Sequence, residues 1–284
     1  MKFSSIFLFF LISSQLLFSN GKDSDFALLT IPKTGTFLMI KCLKLITKKD
    51  RNPIALGTKM ERLHSIKNLD KRIKKITYCS NEYPTSHFHL SSNTLGKYFN
   101  LHPKTKLFVT IRDLRDACIS AVYYIDVDKD FATSKFIAGF IGTKAEWNEL
   151  SFDEKLFKVI TADPKFQISF AYNAQEFLHF ISNYPSVYVT TFENLVGSQG
   201  GGNDTLQKNE ILQIAQHINI HLTNTELNNI SSLLFGNKGS TSKTFRSGQI
   251  GKWKQYFKPY HIQAFKEHLG KYLIEFGYEI DNNW

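Results

Sequence analysis

Apolar positions along the chain fall into short runs joined by stretches of helical period. Phe26 to Ile31 is apolar except for Thr30 and closes on two β-branched residues, which predicts a short buried strand. Pro32 then removes the next ladder donor. Past Gly35, which permits a tight turn, Leu38, Cys42, Leu45 and Ile46 recur at helical spacing and predict a helix over Phe37 to Ile46. A strand thus runs through a small-residue loop into a helix. Ile76 to Cys79 reads as a second strand. In His87-Phe88-His89-Leu90, period-two alternation puts both histidines on one face. Leu107 to Ile111 is the clearest strand, with a helical pattern from Ala117 to Tyr124 after it.

Phe152, Leu156 and Ile160, and then Phe170, Ala174 and Leu178, repeat every four residues. Val187 to Thr191 is a further strand, and Leu206 to Ile218 a further helix. Ile262, Phe265, Leu269, Tyr272 and Phe276 predict one closing amphipathic helix. Gly197 to Gly202 reads as a loop without a phosphate fingerprint, since no strand enters it and no strong helix directly follows. Gly236 to Gly251 has no apolar period and is a lid candidate. Strands separated by helices imply an α/β fold, with a central parallel sheet covered by helices on both faces. No internal repeat or linker divides the chain, so a single domain is expected over residues 22–284.

The amino terminus changes one part of this picture. Lys2, an apolar run from Phe3 to Phe18 and the small residues Ser19 and Gly21 predict a signal peptide over residues 1–21, cleaved after Gly21, with a short uncleaved anchor as the alternative. That places the protein in the secretory lumen or outside the cell, or in the cytoplasm if the segment is misread. Three cysteines without metal-ligand spacing argue against a disulfide framework. The sequons at Asn203 and Asn229 matter only in such a lumen. A net charge of +10 points to an anionic partner. Between Lys41 and Lys75, twelve basic residues face three acidic ones, which suits a solvated face as well as a binding patch.

Three segments carry candidate chemistry. Pro32-Lys33-Thr34-Gly35-Thr36 would set one cation and two hydroxyls beside the outward N–H groups of a helix N-terminus, a phosphate-binding arrangement. Arg112 ends a buried strand, where open α/β sheets bind ligands, and Ser120 follows about two helical turns later on a similar side. An arginine and a hydroxyl suit a phosphate oxyanion, although Arg112 could equally pair with Asp113 or Asp116. Phe245 to Phe257, within the lid candidate, is a basic loop with an aromatic end.

In order and local spacing these segments resemble the sulfotransferases that use 3'-phosphoadenosine 5'-phosphosulfate, most closely the cytosolic type. Pro32 to Thr36 is similar to that family's P-loop-like 5'-phosphosulfate loop, and Arg112 to Ser120, with Asp116, to its 3'-phosphate segment. Arg246-Ser247-Gly248 followed by Gly251-Lys252-Trp253 is similar to its Arg-Lys-Gly-x-x-Gly-Asp-Trp element. The resemblance spans roughly Leu28 to Phe257 and implies a histidine base. His89, in its His-Leu pair, matches best, with His87 as runner-up. Leu38 stands where an aromatic is common, so adenine stacking is assigned to Phe235; Phe192 replaces a tyrosine near the adenine and Ser247 a lysine. The family's dimer motif is not visible after Trp253.

The resemblance therefore implies sulfuryl transfer to an acceptor hydroxyl or amine on a small molecule, glycan or peptide, with no metal and no nucleic-acid partner, and a membrane partner only if the amino-terminal segment is retained. Lys33, Thr34, Gly35 and Thr36 would hold the 5' end of the donor, and Arg112, Ser120, Arg246, Ser247 and Gly248 the 3'-phosphate. Two other classes compete. A nucleoside-triphosphate kinase or hydrolase would need Gly-x-x-x-x-Gly-Lys-[Ser/Thr], but Lys33 precedes Gly35. A non-catalytic polyanion binder would use the Lys41 to Lys75 stretch and show steep salt dependence.

Overall fold

The structure, a computed structural model, describes residues 26–48, 79–80, 106–127, 142–164, 169–236 and 247–284. Strand β1 (Phe26–Thr30) passes through a loop into helix α1 (Thr36–Thr47). β2 is Cys79–Ser80, and β3 (Lys106–Ile111) leads into α2 (Leu114–Val127). Helices α3 (Lys144–Glu149), α4 (Phe152–Ile160) and α5 (Phe170–Asn183) precede β4 (Tyr188–Thr191). The short α6 (Phe192–Val196), α7 (Asp204–His217) and α8 (Asn224–Leu234) follow, and α9 (Trp253–Tyr256), α10 (Pro259–His268) and α11 (Gly270–Glu275) close the chain.

The strands lie in the order β2-β1-β3-β4 and every pairing is parallel. Leu28 of β1 pairs with Phe108 of β3, and Leu29 with Val109, so alternate side chains go to opposite faces. On one face Leu29, Leu107 and Val109 pack with Leu114 and Val122 of α2, Leu156 of α4, Phe177 of α5 and Phe265 of α10. On the other, Leu28 and Phe108 meet Met39 and Leu43 of α1, Ile211 and Ile214 of α7, and Ile230 of α8. A parallel sheet with helices on both faces is the expected α/β architecture. Among the described residues no helix is long and apolar enough to cross a membrane.

Local chemistry explains the element boundaries. Ser151 and Thr223 accept from Glu154 and Glu226 amides in reciprocal capping boxes at the starts of α4 and α8. Asn203 accepts from the Thr205 and Leu206 amides, so α7 starts two residues ahead of the expected Leu206 and directly follows the glycine-rich loop, contrary to the sequence reading. That loop itself holds a single 3-10 turn, Ser198–Gly200. The single closing helix expected from Ile262 to Phe276 is two helices. The break falls at Leu269 (φ −127°), beside Gly270, where a Cβ would lie 2.6 Å from Asn282 Oδ1. Glycine weakens helix continuation, and the last residues cross over it.

Candidate functional site

The site forms where β1 and β3 end. In the β1 to α1 loop, Lys33 (φ 67°) and Gly35 (φ 102°) are left-handed while Thr34 is not. The Thr34 amide in this turn donates to Ile31 O at 3.3 Å, so the anion-facing N–H groups are those that follow it into the first turn of α1. Gly35 caps α1 without any side-chain hydrogen bond, and no acidic residue occupies the first turn. The first-turn amides and their share of the helix dipole therefore face outward without a protein anion in that turn. The two threonine hydroxyls turn inward. Thr34 Oγ1 donates to Ile31 O at 2.7 Å and Thr110 O at 2.9 Å, tying the loop to β3, and Thr36 Oγ1 lies 2.7 Å from Thr30 Oγ1. The Lys33 ammonium lies over the Tyr124 ring at 4.1 Å.

Arg112, at the end of β3, joins this loop to the carboxy-terminal segment. Its Nη1 is 3.5 Å from Lys33 O and its Nη2 donates to Gln249 O at 2.9 Å. Asp116 Oδ2 stands 3.8 Å from Nη2, and Nε is buried with no hydrogen-bond partner among the described residues. A guanidinium carries five donors, so this one is under-satisfied for a buried cation. Burial pulls its pKa down, and the Asp116, Glu193 and Asp113 charges oppose that. The ring of Phe192 lies flat against it at 4.1 Å and also closes on Gly35, where a Cβ would come within 2.8 Å of Phe192 Cδ2.

Residues 247–253 are fastened along α2. Asp116 accepts from the Gly251 amide at 2.7 Å and the Trp253 amide at 2.8 Å. Ile250 N donates to Gly200 O at 3.0 Å, and Gln249 Nε2 to Gln199 O at 2.8 Å, so the glycine-rich loop, given no role by the sequence, is the dock for this segment. A Cβ on Gly200 would lie 2.6 Å from Gly248 O. Of the lid candidate Gly236 to Gly251, the described end is thus pinned at several points, while 237–246 lies outside the described residues. Glu193 accepts from the Asp113 amide at 3.1 Å and from Tyr278 Oη at 2.6 Å. Burial raises the Glu193 pKa, opposed by those bonds and by Arg112. Burial likewise raises that of Asp116, against Arg112 and the Trp253 amide.

The structure thus brings Lys33, Thr34, Gly35, Thr36, Arg112, Phe192 and the segment after Gly248 to one place. Ser120 is half-buried on α2, eight residues beyond Arg112, and Ser247 and Gly248 (φ 61°) open the pinned segment. Phe235 ends α8, where its carbonyl accepts from Lys41 Nζ at 3.2 Å beside the second turn of α1. His87, His89 and Arg246 lie outside the described residues, as does most of the acceptor side expected between Asn81 and His87 and between Tyr124 and Lys144. The sequence reading missed Glu193, Gln249 and Tyr124 as neighbours of the cations. A signal existed for Glu193, an acid directly after the β4 strand end.

Two cations beside an uncapped helix N-terminus can hold a ligand that is anionic at two separate points. No curated protein sequence matches the chain. Among solved structures it is similar to mouse sulfotransferase SULT7A1 complexed with PAP, at 16% identity and a TM-score of 0.59 over 88% of this chain and 85% of that one. It is also similar to retinol dehydratase in complex with androsterone and the inactive cofactor PAP, at 13% identity and a TM-score of 0.52 over 88% and 81%. Likeness at these identities shows the fold. The family described as the sulfotransferase domain matches residues 23–277, nearly the whole chain, and to that family the chain belongs.

Proposed function

We propose that this sulfotransferase uses 3'-phosphoadenosine 5'-phosphosulfate as donor and a hydroxyl or amine as acceptor. One observation carries the choice of donor: a buried guanidinium at Arg112, with Nε unpartnered, stands beside the uncapped N-terminus of α1 and the Lys33 loop. That orphaned donor fits a phosphate, and the α1 amides fit a second one. Both structural neighbours carry PAP in their titles, which supports the same reading.

The donor supplies an activated sulfuryl group on its 5'-phosphate. Around it, Lys33 and the amides of Gly35 and Thr36 would stabilise the charge that develops on that phosphate as its bond to sulfur breaks. The hydroxyls of Thr34 and Thr36 hold the loop in shape. Arg112, Ser120, Arg246, Ser247 and Gly248 would clamp the 3'-phosphate, which undergoes no bond change and so contributes positioning and donor selectivity. Phe235 is proposed for the adenine, and Phe192 for the wall beneath Arg112. His89 would accept the acceptor's proton as the new bond to sulfur forms, with His87 as the other candidate. The scheme calls on no metal.

For location we propose the secretory lumen, with the segment before residue 22 removed, on the strength of the apolar run from Phe3 to Phe18 and the small residues after it. The functional test is a labelled-sulfate transfer assay over phenols, steroids, glycans and tyrosine peptides. Transfer to one of these classes is expected, with His89→Ala reducing kcat by about 100-fold or more. Full activity in both His89→Ala and His87→Ala would remove the base assignment, and Mg-ATP binding in place of PAP would favour a kinase.

A further inference from the structure

Arg112 and Arg115 stand three residues apart with opposite surroundings. Arg112 keeps an unpartnered donor, whereas Arg115 is enclosed completely. Its Nε and Nη2 grip Asp113 at 2.8 to 3.1 Å, its Nη1 donates to Glu279 at 2.5 Å, and the edge-to-face rings of Trp253 and Trp284 wall it at 4.1 and 4.5 Å. Two of those four walls come from residues 278–284. The same stretch supplies Tyr278, which holds Glu193, and Glu193 in turn accepts from the Asp113 amide. Asp113 is therefore fixed from two directions by residues 278–284, through Glu193 at its amide and through Arg115 at its carboxylate. It is the residue next to Arg112. Trp253, in edge-to-face contact with Trp284, begins α9 and belongs to the segment whose Gln249 carbonyl receives Arg112. Residues 278–284 lie beyond the 23–277 family match. Gly277 (φ 80°) turns the chain back to reach the site.

We propose that residues 278–284 are a buttress of the donor site, in which Tyr278, Glu279 and Trp284 are positioning residues that keep Arg112 aimed at the donor's 3'-phosphate. None of the three touches the donor; they act through Asp113, Glu193, Arg115 and Trp253. The inference rests on the donor reading above.

The test is calorimetric titration of the full chain with PAP, together with melting temperature, for wild type, Glu279→Gln, Trp284→Leu and Trp284→Phe. Glu279→Gln and Trp284→Leu should each weaken PAP binding by about fivefold, the scale of coupling transmitted by residues outside a ligand's contact shell. Trp284→Phe keeps a ring over Arg115 and should restore most of the affinity. Ser151→Ala, which removes a cap whose hydrogen bonds run only to Glu154, should lower the melting temperature and leave PAP affinity unchanged. Wild-type affinity in both Glu279→Gln and Trp284→Leu would overturn the buttress and leave the donor reading standing. Loss of affinity that tracks melting temperature equally in Ser151→Ala would overturn it too. If wild type itself does not bind PAP, the donor reading fails and the buttress fails with it.

Discussion

At the scale of single residues, the site depends on one glycine and one half-buried acid. Gly35 combines a left-handed φ of 102° with Phe192 Cδ2 at 2.8 Å from any added Cβ. Gly35→Ala must strain the backbone and displace the ring that supports Arg112, costing about 1–3 kcal/mol of stability. Chemical denaturation should show that loss, and PAP affinity should fall with it. Glu193 supplies a pH signature. Because burial raises its pKa above the ordinary 4.5, the folded state holds its proton to higher pH than the unfolded chain does. The stability it contributes is complete below the unfolded value and is lost as pH rises through the folded one. Glu193→Gln retains an acceptor for the Asp113 amide and removes that slope. Melts of the two proteins from about pH 4 to about pH 8 should show wild type losing stability relative to the variant as pH increases.

At the scale of elements, one carboxylate fastens the carboxy-terminal segment to α2. Asp116 accepts two amides, those of Gly251 and Trp253, from a chain more than a hundred residues away. Asp116→Ala takes the acceptor from both amides, at the exposed Gly251 and the half-buried Trp253, and should cost about 1–3 kcal/mol. Hydrogen exchange gives the specific readout: the Gly251 and Trp253 amides should lose protection ahead of those of β3. Asp116→Asn, with one remaining acceptor oxygen, should fall between.

The elements show why some of the chain was legible as sequence. β1, α1, β3 and α2 follow from β-branched runs and apolar spacing, because burying one face or both is what those patterns do. The break at Leu269 was hidden because the apolar period continues through it. It depends on Gly270 accepting a close approach from Asn282, which no local pattern records. The early start of α7 was written in Asn203, whose capping signal is as plain as the Thr223 and Glu226 box of α8.

At the scale of the molecule, the parallel sheet brings three distant segments together, since β1 and β3 are hydrogen-bonded neighbours whose pairing ends at Thr30 and Thr110. The meeting of the Lys33 loop, Arg112 and the segment through Trp253 was therefore readable from motif order together with the topology of a parallel sheet. The inward turn of the Thr34 and Thr36 hydroxyls was not readable, because it depends on the Thr110 carbonyl of β3 and the Thr30 hydroxyl of β1. Nor was the enclosure of Arg115, which draws its walls from α9 and from residues near the carboxy terminus, far apart in sequence.

The central claim is that these segments form one site for a nucleotide carrying phosphate at both its 3' and 5' positions. Its most direct test is calorimetric titration of PAP into wild type, Arg112→Ala and Lys33→Ala without metal. One PAP per chain should bind wild type, and each variant should bind about 10- to 100-fold more weakly, the scale of a lost charge-assisted hydrogen bond. Absence of PAP binding to wild type, or equal affinity in all three proteins, would contradict it.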